Sequence, residues 1–193
     1  MIDVYQISVI IFVVVIGALI YKDRKNIRRE MGIFLIRRTQ RGKNILIKTG
    51  ERFPRFWKVI GTIGVIIGFH MSVTTLYLLG VTFLISLTAE RAVPGTGVVV
   101  PSLSSSGGWG PGYFSIPFWY YIISIALLAF VHEFFHGIMA ASEKGRIKSW
   151  GWALLLFIPI AFVELDEKQL LKKKIMTPLR VFSDGSFANL LLA

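Results

Sequence analysis

Two histidines and a glutamate occupy one five-residue stretch, His132-Glu133-Phe134-Phe135-His136, inside an otherwise apolar run from Ile122 to Ala141. Four residues make about one helical turn, so on a helix both imidazoles leave the same face and can bind one metal ion. The glutamate beside them is placed to take a proton from a water that the metal polarises, which is how a metal site hydrolyses a peptide carbonyl. The spacing points to His132 and His136 as ligands of Zn2+ and to Glu133 as the general base. The bland alternative is a polar cluster that packs helices or relays protons. Location weighs against it, because ionisable groups are costly in lipid and are kept where they face a wet or protein-lined interior.

The elements that must carry this stretch are membrane elements. Of 193 residues, 54% are hydrophobic and only 17% charged, and the apolar residues fall in long runs, which marks a polytopic membrane protein. The net charge of +11 raises the question of a nucleic-acid partner. The basic residues lie between the apolar runs, however, so the expected partner is the lipid bilayer, with no nucleic acid. The absence of cysteine excludes disulfides, thiolate metal ligands and a cysteine nucleophile.

Three runs are long enough to cross a bilayer: Val4–Tyr21, Val59–Leu87 and Pro117–Ala141. A fourth starts at Val181 and reaches Ala193 as a partial span. Segment 22–58 holds 13 Lys/Arg against three acids, segment 142–180 holds eight against four, and segment 88–116 holds Arg91 alone. Alternating spans place 21 of the 22 basic residues on one side. That bias predicts an integral protein of the cell membrane with its N-terminus outside, loops 22–58 and 142–180 cytoplasmic, and loop 88–116 outside. The expected fold class is all-α, a helical membrane core with one small cytoplasmic β-hairpin, Ile33–Ile36 with Ile45–Lys48. Segment 88–116, rich in Gly, Ser and Pro, reads as irregular.

Trp150–Val163 is apolar but too short to span, with Arg146 and Lys148 before it and Lys168 and Lys172 after it. It must enter and leave on one face, so a re-entrant, partly extended segment broken at Pro159 is expected, lying against an internal cavity. An interfacial helix is the alternative. From His132 to the next charge beyond the motif, Glu143, is 11 residues, about 16 Å of helix. The metal would then sit inside the bilayer, nearer the cytoplasmic surface. Its substrate would be a transmembrane or membrane-anchored protein segment, locally unwound and paired as an added strand with the re-entrant edge. His70, at a similar depth in the second run, is a further candidate ligand, although a packing role is simpler. Gly64 and Gly68 form a G-x-x-x-G face for close helix packing. Glu164, Asp166 and Glu167 read as solvated charges at headgroup level, and Lys172–Lys174 as a topology anchor.

The stretches His132–Ala141, Glu143–Glu167 and Ser183–Leu191 resemble the site-2 protease family of intramembrane zinc metalloproteases, its microbial members in particular. The resemblance covers about 60 residues and is carried mainly by H-E-F-F-H-G at 132–137. It implies zinc ligation by His132 and His136 and base catalysis by Glu133. It also matches Gly185-Ser186-Phe187-Ala188-Asn189 to the family's G-x-x-x-N element, in which Asn189 would bind substrate or stabilise the oxyanion. One feature departs from the family: the L-D-G element that supplies the third zinc ligand is absent. Asp184-Gly185 is a weak stand-in, and the run that stops mid-helix at Leu190–Ala193 reads as a chain lacking its C-terminal part. Intramembrane endoproteolysis is the leading expectation. A prenyl-protein-type membrane zinc protease, and a transporter or scaffold with intramembrane polar residues, remain open.

Overall fold

The computed structural model describes residues 3–30, 34–40, 42–88, 97–155 and 158–193. The chain forms two units, Met1–Lys22 with His70–Ser124, and Asp23–Phe69 with Ile125–Ala193. Helices α1 (Val4–Asp23), α3 (Pro54–Thr88) and α4 (Phe118–Ser142) are each long and apolar enough to cross a membrane. Large apolar side chains stand exposed along α1 and α3, among them Ile10, Val14, Ile66, Leu76 and Leu84. That is the arrangement lipid requires and water penalises.

The all-α expectation fails. The described residues contain seven strands in two sheets. In the second unit, β1 (Arg28–Glu30), β2 (Phe34–Thr39), β6 (Ile147–Leu155) and β7 (Ile158–Leu165) form an antiparallel sheet in the order β1-β2-β6-β7. The expected hairpin is half wrong. Its first strand survives within β2 (Ile33 lies outside the described residues), but it pairs with β1 and β6. Ile45–Lys48, the supposed second strand, belongs to helix α2 (Lys43–Arg52). Leu46 and Gly50, one turn apart, are the buried positions of α2, and Leu46 joins a core with Ile138, Ala141 and Ile147. A three-residue apolar run carries no period of its own, so this packing against α4 decides between helix and strand.

Trp150–Val163 is extended, as expected, but paired along its length rather than broken. β6 and β7 form a hairpin in which Trp150 faces Val163 and Leu154 faces Pro159; Leu156 and Phe157 lie outside the described residues. Pro159 does not end the strand, because β7 is the sheet edge. The Val163 N–H points away from β6, to Glu133, and by the two-residue alternation of a strand the Pro159 nitrogen faces the same open side. No ladder bond is lost there. At the far end of β7, Glu164 Oε2 accepts from the Ser149 hydroxyl at 2.6 Å and meets Arg38 Nε at 3.3 Å. The Ser149 hydrogen bond, with Arg38 adding to it, holds the Glu164 carboxyl below its usual range against the opposing effect of burial. Glu164 is therefore a link between β2, β6 and β7 rather than a merely solvated charge.

Helix α5 (Glu167–Leu171) leads to α6 (Met176–Leu192), which starts five residues before the expected partial span at Val181. Glu143, nearly buried at the end of α4, binds α6 to α3. Its Oε1 accepts from Arg180 Nη1 at 2.7 Å, and its Oε2 accepts from the Thr177 hydroxyl at 3.2 Å and lies 3.5 Å from Lys58 Nζ. Arg180 Nε donates in turn to the Thr62 hydroxyl. The glycine face of α3 is the other half of this contact. A β-carbon at Gly64 would press on Phe187 at 3.2 Å, and one at Gly68 would touch Ser183 at 3.7 Å. The G-x-x-x-G stripe thus packs against α6, as its spacing predicts.

In the first unit, Tyr5, Ser8 and Phe12 of α1 meet the start of α4. Trp119 donates its backbone N–H to the Tyr5 hydroxyl and its indole N–H to Ser8, and Phe12 packs edge-on against Phe118 and Trp119. Loop 88–116 is not irregular over its described part. There β3 (Val98–Ser102), β4 (Gly108–Gly110) and β5 (Tyr113–Pro117) form a sheet in the order β3-β5-β4. Arg91 lies outside the described residues. The Gly and Ser content masked two short β-prone runs, Val98–Val100 and Tyr113–Ile116, that set this sheet.

Candidate metal centre

All the groups of this site belong to the second unit. Nothing in α4 interrupts the helix through 132–136, so His132 and His136 project from one face. Their Nε2 atoms converge to 3.0 Å, with the rings edge to face at 87°. Two Zn–N bonds of about 2.05 Å at a tetrahedral angle would separate the nitrogens by about 3.3 Å. The pair fits half of a metal centre.

Helix α6 packs on this pair through one face, Val181, Gly185 and Asn189, spaced a turn apart. His136 Nδ1 lies 2.5 Å from the Val181 carbonyl oxygen. A carbonyl can only accept, so Nδ1 carries the proton and Nε2 presents its lone pair. Gly185 sits between the rings. A β-carbon there would lie 2.6 Å from His136 Nε2 and 2.8 Å from His132 Nε2, so glycine leaves open the space that the two nitrogens face. Asn189 Nδ2 is 3.3 Å from His132 Nδ1, and its Oδ1 is buried without a partner.

Glu133 is anchored from the opposite direction. Its Oε2 accepts the backbone N–H of Val163 on edge strand β7 at 2.8 Å, which leaves Oε1 as the available proton acceptor. Phe130 stacks on Phe134 and meets Trp150 edge-on, so the same hairpin packs against the helix that bears the motif.

The motif histidines, Glu133 and the G-x-x-x-N residues are thus brought together. Asp184 is not: it is fully buried with both carboxylate oxygens unpartnered, and among the described residues no third His, Cys, Asp or Glu groups with the histidines. His70 is exposed on α3 and falls in the other unit. Sequence reasoning missed the Val163 amide and the Val181 carbonyl. Backbone groups leave no residue-type signal, although Val181 stands one turn before Gly185 and two before Asn189, a spacing that could have flagged it.

No protein-family model matches the chain, and no solved structure matches it. It is 33% identical over 195 residues to an uncharacterized protein of Methanocaldococcus jannaschii, an alignment that takes in 95% of this chain and 48% of that protein. The chain therefore spans about half the length of this curated relative.

Proposed function

We propose that these residues form the core of an intramembrane zinc endopeptidase that cuts transmembrane or membrane-anchored proteins near the cytoplasmic side. The observation that carries the reading is the convergence of the His132 and His136 Nε2 atoms beside a glutamate that an edge strand holds in place. His132 and His136 would hold a zinc ion, with a third donor from the rest of the protein, and the ion would supply Lewis acidity to water and to the scissile carbonyl. Glu133 takes the water proton at Oε1 and returns it to the leaving nitrogen, while the Val163 N–H keeps its carboxylate oriented. The backbone groups of Ala161 alternate to the same edge of β7 as Val163, and no strand among the described residues covers that edge. An unwound substrate segment adds there as a strand, which presents its carbonyls next to the base. The family this arrangement resembles is the site-2 proteases.

The test is cleavage of a synthetic transmembrane segment by the full-length protein in detergent. A zinc chelator stops it and added Zn2+ restores it; cleavage indifferent to the chelator would rule out the metal mechanism. Orientation is tested separately, with reporter fusions in cells. Fusions at Lys43 and Lys172 report the cytoplasm and one at Gly107 the outside, as the basic-residue bias requires. Lys43 and Gly107 reporting the same side would remove the depth assigned to the motif.

A further inference from the structure

We infer that Asn189 is a positioning residue for His132, fixing the imidazole tautomer through Nδ1 rather than meeting the substrate oxyanion. The inference rests on the metalloprotease reading and changes the role that resemblance alone would assign to this asparagine. Its amide is engaged with Nδ1 of His132, not with the Nε2 that converges on its neighbour. Half a turn of the amide exchanges Nδ2 for Oδ1 at that contact. The buried Oδ1, otherwise unpartnered, then accepts the Nδ1–H of His132 and leaves Nε2 as the lone-pair donor. His136 already has this arrangement through the Val181 carbonyl. The face Val181–Gly185–Asn189 of α6 thus serves both ligands alike: an acceptor behind each ring, and a glycine over the space between them. Partners of this kind set ring orientation and ligand basicity, and losing one typically weakens metal binding about 10- to 100-fold.

The experiment compares wild type, Asn189→Asp and Asn189→Ala in the full-length protein, by zinc competition against a chromophoric chelator and by cleavage kinetics. A carboxylate still accepts from Nδ1–H, so Asn189→Asp holds zinc within about threefold of wild type and keeps most of its kcat, while Asn189→Ala loses about 10- to 100-fold in zinc affinity. An oxyanion donor would behave oppositely: both variants would bind zinc normally, and the aspartate, repelling the developing negative charge, would have the lower kcat. Either of those results overturns the assignment. A second readout needs bound metal but no activity. In protein saturated with Zn2+ and 15N-labelled at histidine, the His132 Nδ1–H is hydrogen-bonded and exchanges slowly with solvent in wild type and Asn189→Asp, and exchanges faster in Asn189→Ala. An unchanged Nδ1–H signal in the alanine variant refutes the pairing even if that variant binds zinc poorly. A wild type that takes up no zinc at saturation refutes the metalloprotease reading and the pairing with it, whereas a wild type that binds zinc with no effect of Asn189→Ala refutes the pairing alone.

Discussion

Glu133→Gln in the full-length protein is expected to abolish cleavage of a transmembrane substrate while zinc remains bound. The amide is nearly isosteric and can still meet the Val163 N–H through its oxygen, so the β7 contact and the two ligands persist. What is lost is the capacity of Oε1 to accept a proton. General-base catalysis contributes about 10²- to 10⁴-fold, so turnover falls at least that far, with zinc content unchanged. The checks are a gel-based cleavage assay and metal analysis on the same preparation. Cleavage at the wild-type rate would remove Glu133 from its role. Loss of zinc together with activity would instead make it part of the metal's support.

Gly185→Ala damages the site from the other helix. The added methyl would stand 2.6 Å and 2.8 Å from the two Nε2 atoms, well inside van der Waals contact and in the space they face. Helix α6 cannot easily withdraw, since Gly64 of α3 lies against Phe187 on one side and the Arg180–Glu143 ion pair holds its first turns to α4. The imidazoles must therefore move apart. Overpacking of this kind costs about 1–3 kcal/mol. Directed at the two imidazoles, that cost is expected to appear as zinc affinity lowered by about 5- to 150-fold and as cleavage lost to match. Zinc titration of the variant is the check, and wild-type affinity would mean that α6 does not bound the metal space. Ser186→Ala, on the exposed face of the same helix turn, should leave zinc binding unaltered and serves as the control.

The parts of this site legible in the sequence are those written in residue type and helical period. H-E-x-x-H places two imidazoles on one helix face with a carboxylate beside them, without reference to anything distant, and the three long apolar runs announce their helices by length. The G-x-x-x-G of α3 and the G-x-x-x-N of α6 record close approach in the same way. The sheets were less legible because pairing is non-local. Arg37 and Arg38 of β2 oppose Trp152 and Gly151, more than 100 residues away, and no local pattern says so. Ile45–Lys48 has the composition of a strand, and its helical state depends on Leu46 fitting over Gly137 of α4. The backbone acceptor on His136 and the backbone donor on Glu133 follow only once α6 and β7 are packed against α4.

The central claim is that His132 and His136 hold a metal. It is tested most directly by metal analysis of the detergent-purified full-length protein beside the His132→Ala/His136→Ala double variant. About one zinc per chain is expected in the wild type, as a catalytic site of this ligand type requires, and none in the double variant at equal helix content. Equal zinc in both proteins, or none in the wild type after zinc is supplied, would contradict it.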